Sequence, residues 1–354
     1  MPLVANSTLP TFKRLLEEGE TILTDERARH QDIRELHIGL LNMMPDAAIT
    51  ATERQFFRLI GESNQIAQFY VHPFTLPEIK RGKDAQEHIN QYYETFEEIK
   101  TNGLDALIIT GANVSEPDLS LETFWEPLIS VIDWAYENVP STLCSCLATH
   151  AVMQFRYKQK RKPMGNKVWG VFQHHVVDRT HPLVNGVNTR FDVPHSRYNN
   201  ISREQFEAAG LHVLVESNKA GVHLAVSEDK FRIVFFQGHP EYDMISLLKE
   251  YKREVLRYFN NERADYPPFP NAYFQLQTKA ILNEYKKQVC ESKALKKVFP
   301  EMPEKLIVNQ LDNTWHDTAE AVLNNWIGKV YQVTAQDRRG LFTDNIDPNN
   351  PLGI

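Results

Sequence analysis

Short apolar segments alternate with helical segments through the first half of the chain, and this alternation limits the folds open to it. Residues 36–43 (LHIGLLNM) and 104–110 (LDALIIT) are short and apolar, as strands buried on both faces of a parallel sheet are. Between them, apolar residues recur at helical spacing after Asp46, the predicted N-cap. Residues 141–146 and 147–156 repeat the strand–helix order. The sequence therefore predicts an α/β fold with an open, mostly parallel sheet flanked by helices.

The region from residue 168 to residue 238 has a different pattern, in which strand-like stretches follow one another. These are VWGVFQHHVV, LHVLVES, GVHLAV and FRIVFFQG, with one helical segment at 202–209. They predict antiparallel additions to the parallel sheet. Residues 243–260 form a predicted amphipathic helix, and 282–297 and 315–331 are further helical candidates. We predict an N-terminal extension (1–35), a catalytic domain (36–265) and a C-terminal extension (266–354) that packs on the catalytic domain.

Charge and cysteine content exclude several functional classes. Lys and Arg number 39 against 46 Asp and Glu, which gives a net charge of −7 and argues against binding to nucleic acid or to anionic membranes. No apolar run approaches the roughly 18–20 residues that cross a bilayer, and no secretory signal is visible. The three cysteines are too few for a disulfide scaffold, which favours a reducing compartment. We expect a cytoplasmic protein.

Cys146 lies where a predicted strand passes into a predicted helix. A side chain at such a turn stands at the carboxyl edge of the sheet, where open α/β folds place their sites. The free N–H groups and positive dipole end of the following helix favour the thiolate, which is the nucleophilic form. Cys144 lies inside the strand, and we interpret it as a small buried hydrophobe. An inert cysteine is the alternative interpretation for Cys146.

A histidine and a carboxylate follow the last apolar strand. Residues 231–238 end in glycine, and His239, Pro240 and Glu241 come directly after them. A histidine at a strand end acts as a base when a carboxylate fixes its tautomer. The alternative is a turn-capping histidine beside a solvated glutamate. With Cys146 on a neighbouring strand, the set matches the cysteine–histidine–carboxylate arrangement that activates a nucleophile.

These features resemble the class I glutamine amidotransferase superfamily and, within it, the homoserine O-acyltransferase family of the homoserine O-succinyltransferase type. The stretches that carry the resemblance are LLNMMPDAAITATERQF, DALIITGANV, STLCSC, KVWGVFQHH, VPHSRY, GHPEYD and NNWIGKVYQVT. They span most of residues 36–260 and a block at 314–333. The resemblance implies a flavodoxin-like fold with antiparallel additions and acyl transfer in methionine biosynthesis. Ser145 and Leu147 replace the glycines that flank the cysteine of a glutaminase, which argues against glutamine hydrolysis.

The resemblance also implies roles for the residues at the turn and at the His-x-Glu sequence. Cys146 would form an acyl-thioester, His239 would deprotonate the hydroxyl of homoserine, and Glu241 would orient His239. The reaction would then follow a ping-pong route. The N–H of Leu147 and a donor from the Gly111 loop would stabilise the oxyanion.

Three further residues match substrate-contacting positions of the family, namely Lys167, Ser196 and Arg253. Arg253 would hold the carboxylate of the amino acid with its guanidinium fork. Glu250 lies one turn earlier on the same predicted helix and is a fourth candidate. A solvated ion pair between Glu250 and Arg253 is the alternative interpretation. The basic run 156–167 is a candidate contact for the phosphates of coenzyme A, or an ordinary solvated loop.

The choice of acyl donor depends on Ser115 in this resemblance. A small residue there is associated with succinyl transfer and a glutamate with acetyl transfer, although Glu116 is adjacent in this chain. The expected co-substrate is therefore succinyl-CoA, or acetyl-CoA as the alternative, with no cofactor, no metal and a homodimeric assembly. The family often carries lysines after Met44–Pro45, and this chain has none there. Residues 266–312 exceed the length expected of the family and have no assigned role.

Two other functional classes remain open on the sequence. A cysteine hydrolase or amidotransferase of the same superfamily would release free acid or ammonia and would not need homoserine. A binding or scaffold protein on the same fold would carry an unreactive Cys146. The reactivity of Cys146 towards iodoacetamide near neutral pH separates the second class from the enzymes.

Overall fold

One mixed sheet forms the centre of the molecule. The computed structural model describes residues 3–30, 33–64 and 66–354. Within these residues, eleven strands join a single sheet in the order β2-β1-β4-β3-β5-β6-β11-β10-β9-β7-β8. The strands are β1 (Leu3–Ala5), β2 (Ile22–Thr24), β3 (Glu35–Leu41), β4 (Gln68–Phe74), β5 (Ala106–Ile109), β6 (Ser141–Ser145), β7 (Lys162–Val176), β8 (Arg190–Asn200), β9 (His212–Ser217), β10 (Gly221–Val226) and β11 (Ile233–Phe236).

The sheet consists of a parallel part and an antiparallel part. From β2 to β11 every neighbouring pair in the sheet is parallel, and from β11 to β8 every pair is antiparallel. This confirms the predicted fold class, a mostly parallel open sheet with antiparallel additions. Strands β5, β6 and β11 are short and fully buried, as the near-continuous apolar runs predict.

Helices cover both faces of the sheet. They are α1 (Pro10–Glu17), α2 (Asp25–Arg29), α3 (Ile49–Ser63), α4 (Lys83–Tyr92), α5 (Phe96–Asn102), α6 (Trp125–Asn138), α7 (Leu147–Tyr157), α8 (Arg203–Ala208), α9 (Ser246–Phe259), α10 (Leu276–Ala294), α11 (Glu304–Val308) and α12 (His316–Val333). Helices α1, α3 and α12 pack on one face, and α5 to α8 pack on the other. None of the helices in the described ranges has the length and apolar character to cross a membrane.

Both flanking segments contribute to this architecture. Strands β1 and β2 extend the parallel end of the sheet, and α12 contributes Trp326 to the main core. Residues 273–315 form a third apolar cluster with α9 and with Trp169 and Val171 of β7. The division at 35/36 and 265/266 stays a prediction.

Gly170 joins the C-terminal segment to the sheet by a close backbone approach. Asn271 N–H donates to Trp169 O, and Val171 N–H donates to Asn271 O, each at 2.8 Å. Gly170 has a φ of +133°, and a Cβ built on it would lie 2.2 Å from the Asn271 nitrogen. A glycine is therefore required at this position, both for its backbone angle and for its lack of a side chain.

The predicted N-cap at Asp46 is wrong. Helix α3 has Ala48 at its N-cap position without a side-chain hydrogen bond, and a 3₁₀ turn (Asp46–Ala48) precedes it. The Asp46 carboxylate accepts the Gly82 N–H at 2.7 Å and pairs with Arg81 at 3.2 Å. It therefore ties the segment after β3 to the loop after β4.

Candidate active site

The candidate residues follow the ends of three strands, and these ends lie at one edge of the sheet. Strand β5 ends just before Gly111, β6 before Cys146 and β11 before His239. These strands are parallel neighbours, so their carboxyl ends meet at the same edge.

Cys146 occupies a strained turn between β6 and α7. Its φ of 53° and ψ of −103° lie outside the region that L-residues usually adopt. Its N–H donates to Phe236 O at 2.8 Å, and Thr149 Oγ1 lies 2.9 Å from both Phe236 O and Cys144 O. The turn is therefore fixed by the neighbouring strand, and Cys146 is partly exposed. Cys144 is fully buried, and burial raises the pKa of its thiol far above the usual range.

His239 and Glu241 form a buried pair beside Cys146. His239 Nδ1 lies 2.8 Å from Glu241 Oε1, and the ring of Tyr242 stacks on the imidazole with centroids 4.4 Å apart. Burial alone would lower the pKa of His239. Glu241 and the Cys146 thiolate outweigh burial and raise that pKa well above its usual value. The imidazolium form of His239 is therefore favoured beside Cys146.

We expect the Glu241→Gln substitution to lower the pKa of His239, because the carboxylate stabilises the imidazolium. Wild-type His239 therefore keeps its proton to a higher pH than the variant does. The titration is measured by NMR on imidazole-¹⁵N-labelled protein, with His239→Gln to assign the signal. The matched control is Asp243→Asn. It removes another carboxylate of the same loop, which pairs with Arg54 and not with His239. An unchanged titration in Glu241→Gln would contradict the pairing.

Glu250 is the centre of a second buried group. Its carboxylate accepts hydrogen bonds from Lys167 Nζ (3.1 Å), Ser196 Oγ (2.6 Å) and Tyr242 Oη (2.8 Å). Burial would raise the pKa of Glu250, but these three partners hold it below its usual value. The alternative of a solvated pair between Glu250 and Arg253 is wrong, since Glu250 pairs with Lys167 across the sheet edge.

Tyr242 connects the two groups, because its ring stacks on His239 and its hydroxyl binds Glu250. The sequence analysis did not identify it, although it lies within GHPEYD. Trp315 Nε1 donates to Tyr242 O at 2.9 Å, so the C-terminal segment supports the site.

A cavity of about 260 Å³ adjoins these groups. His239, Glu241, Glu250 and Arg253 line it, as does Gly111. Lys167 and Ser196 do not line this cavity and reach it only through Glu250. A larger cavity of about 410 Å³ shares Glu241 and Tyr242 with it.

Two cations on successive turns of α9, Lys249 and Arg253, line the smaller cavity. Arg253 is exposed, and its Nε lies 4.0 Å from Glu254. Lys249 has no ion pair among the described residues, and the sequence analysis did not identify it. Lys249 lies four residues before Arg253, so the two side chains share one face of the helix. This spacing is the sequence pattern that could have identified Lys249 as a site residue.

The oxyanion donors predicted from the sequence lie next to the turn. Leu147 is the first residue of α7, so its N–H has no acceptor within the helix. A Cβ built on Gly111 would lie 3.9 Å from Cys146 Cβ, which places the Gly111 backbone against the nucleophile.

Ser115 lies in the exposed loop after β5 and does not line the cavity. Its N–H donates to Glu122 Oε1 at 2.7 Å. The basic run contacts this loop, because Arg161 donates to Glu116 O and Lys160 pairs with Asp118. These two cations of the basic run are therefore engaged with the protein.

Glu62, His316 and Glu320 are the one set in the described ranges that could hold a metal ion. Their ligand atoms lie within 4.8 Å of one another, and Glu62 and His316 line the larger cavity. Burial and the nearby carboxylates of Glu20 and Glu320 raise the pKa of Glu62 to about 8. Cys146 is not part of this set.

Comparison with known proteins assigns the family. The sequence profile described as homoserine O-succinyltransferase matches residues 2–336. The chain belongs to the homoserine O-succinyltransferase family. Homoserine O-succinyltransferases from Nitrosococcus oceani and Allochromatium vinosum are each 68% identical to it over 354 residues, which are 100% of this chain and 99% of theirs. Like other members of the homoserine O-succinyltransferase family, the chain is an acyltransferase.

The comparisons also correct one expectation about length. Residues 266–312 lie inside the profile match, and the homoserine O-succinyltransferase from Methylococcus capsulatus aligns over the whole of both chains at 61% identity. The segment is therefore an ordinary part of these homoserine O-succinyltransferases. Among solved structures, a glutamine amidotransferase from Thermotoga maritima aligns with 85% of this chain and 99% of its own, at 10% identity and a TM-score of 0.42.

Proposed function

We propose that this chain transfers the succinyl group of succinyl-CoA to the hydroxyl of L-homoserine through a thioester on Cys146, as a step of methionine biosynthesis. The observation that carries the proposal is the strained turn that presents Cys146 beside the buried His239–Glu241 pair. Membership of the homoserine O-succinyltransferase family supports the donor and the acceptor.

In the first half-reaction, the Cys146 thiolate attacks the thioester carbonyl of succinyl-CoA. The new C–Sγ bond forms as the bond to the sulfur of coenzyme A breaks. The departing thiolate takes the imidazolium proton of His239 and leaves as free coenzyme A, so His239 becomes neutral. The backbone N–H groups of Leu147 and Gly111 stabilise the intermediate oxyanion.

In the second half-reaction, neutral His239 takes the hydroxyl proton of homoserine as the oxygen attacks the acyl carbon. The C–Sγ bond then breaks, and O-succinylhomoserine leaves behind a thiolate and an imidazolium. The starting pair is thereby restored, and the proton that His239 gave to coenzyme A is replaced by the one from homoserine.

The cavity beside His239 suits the amino-acid acceptor. Arg253 offers an exposed guanidinium for the carboxylate of homoserine. Glu250 Oε1 accepts only the Tyr242 hydroxyl among the described contacts, so it retains capacity to accept from the ammonium group of homoserine. Lys167 and Ser196 act through Glu250 by fixing its position.

Intact-mass measurement tests the proposal directly. Incubation with succinyl-CoA alone is expected to add one succinyl group to the protein, and homoserine is expected to remove it and yield O-succinylhomoserine. A higher kcat/KM with acetyl-CoA than with succinyl-CoA would overturn the choice of donor. Loss of the succinyl group to water at the same rate with and without homoserine would indicate a hydrolase instead.

A further inference from the structure

Arg197 is a buried cation that pairs with no carboxylate of the described residues. It lies in β8, and only 4% of its surface is exposed. Its guanidinium donates to His195 Nδ1 at 2.5 Å, to Asn200 Oδ1 at 2.9 Å and to Ala220 O. All three acceptors are neutral, Nε has no hydrogen-bond partner, and no acidic side chain of the described residues forms an ion pair with Arg197.

Burying an unpaired charge costs folding free energy, so the presence of Arg197 at this position needs a physical reason. Burial lowers the pKa of Arg197 to about 10, and the Cys146 thiolate opposes that shift. Arg197 is therefore still charged at neutral pH.

Backbone contacts join the strand that carries Arg197 to the strand end that carries the candidate base. A Cβ built on Gly238 would lie 2.8 Å from His195 Nε2, so the His195 ring packs directly on the Gly238 backbone. His239, the next residue, donates its N–H to Pro194 O at 2.8 Å. Cys146 in turn donates its N–H to Phe236 O on the same strand as Gly238. The β8 segment around Arg197 is thus fixed to the strand end that carries the candidate base.

The histidines next to Arg197 fix the direction of its guanidinium. Because an arginine can only donate, His195 Nδ1 must be an acceptor, and the proton of His195 is then on Nε2. That proton points to His174 Nε2 at 3.1 Å, and His174 Nδ1 donates to Phe172 O at 2.8 Å. Burial lowers the pKa of His174 to about 4 and that of His195 well below its usual value, so both rings stay neutral.

We infer that Arg197 is a positioning residue whose fixed positive charge stabilises the thiolate of Cys146. His195 and His174 hold its guanidinium in place and add no charge of their own. The inference rests on the proposed function only in taking Cys146 as the nucleophile.

Other charged and titratable groups also act on Cys146. His239 contacts Cys146 and is itself paired with Glu241. Arg161 and Tyr242 interact electrostatically with Cys146. These groups are unchanged in variants at position 197, so a difference between such variants reports on Arg197.

The test is the pH dependence of Cys146 alkylation by iodoacetamide in three full-length variants. Arg197→Met is expected to move the alkylation midpoint up by about one pH unit, or to reduce alkylation about tenfold at a fixed pH below the midpoint. Arg197→Lys, which retains the charge, is expected to move it by less than half as much. Arg190→Met removes an exposed arginine from the same strand and is the matched control, with no shift expected.

An unchanged midpoint in folded Arg197→Met, or equal shifts in the Met and Lys variants, would overturn the inference. Arg197 would then have only a structural role, which is to hold β8 in place. If Arg197→Met does not fold, His195→Phe replaces it, because it keeps a ring against Gly238 and removes the acceptor that orients the guanidinium. An unchanged midpoint in His195→Phe would then overturn the inference. Alkylation needs neither succinyl-CoA nor homoserine, so its outcome is separate from that of the proposed transfer.

Discussion

Cys146→Ala is expected to form no acyl-enzyme with succinyl-CoA and to lose transferase activity by about a thousandfold or more, because the substitution removes the thiol that attacks the thioester carbonyl. Cys144 is two residues away, but it is fully buried and its high pKa keeps it a thiol. Intact mass after incubation with succinyl-CoA and a steady-state transfer assay measure the two effects.

Cys290→Ser is the matched control for this substitution. Cys290 lies on α10, where its thiol contacts Tyr258 away from the cavity, so we expect full acylation and near-normal transfer. Normal transfer by Cys146→Ala would exclude the covalent route. Acylation of Cys146→Ala at another residue would identify a different nucleophile.

Gly170→Ala is expected to destabilise the protein by about 3 kcal/mol or more, because the new Cβ meets the Asn271 backbone and the φ of +133° is unfavourable for alanine. The bridge to Asn271 anchors the segment that carries Trp315, which donates to the Tyr242 carbonyl. The variant is therefore also expected to lose kcat. Urea unfolding and the transfer assay measure these changes.

Gly165→Ala is the control on the same strand, since nothing lies within 4 Å of a Cβ there and its φ is not in the left-handed region. We expect its free energy of unfolding to stay within about 0.5 kcal/mol of wild type. Equal stability of the two variants would contradict this expectation, because it would show that the backbone of Asn271 can move to accommodate a Cβ at position 170.

The parallel part of the fold was predictable because its strands are short apolar runs bounded by helical periodicity. Strand β4 was not predicted, although it pairs with both β1 and β3. Its sequence, QFYVHPF, contains Pro73, which cannot donate to a ladder and usually argues against a central strand. Strands β1 and β2 have three residues each and carry too little pattern to detect.

Strand β8 shows why a local pattern can mislead. The strand-like stretches predicted within residues 168–238 do not include the segment around Ser196, whereas that segment is a strand. Phe191, Val193, His195 and Arg197 alternate as its buried side chains, so the period of two is present but half of its inward positions are polar. His195 and Arg197 form hydrogen bonds to His174 and to the carbonyl of Ala220, which are 21 and 23 positions away, and a local window cannot show such contacts.

The sequence by itself determined the sheet's parallel centre, the turn that carries Cys146 and the His-x-Glu sequence at the next strand end. These follow from local periodicity and from the rule that parallel strands end at a common edge. Only the tertiary structure decided that Glu250 binds Lys167 and Ser196 and not Arg253, and that Tyr242 joins both groups. It also decided that Arg197 is buried without a carboxylate partner among the described residues. The contacts of Glu250 with Lys167 and Ser196 join residues 83 and 54 positions apart. The energies of all these contacts depend on burial, which exists only once the chain has packed.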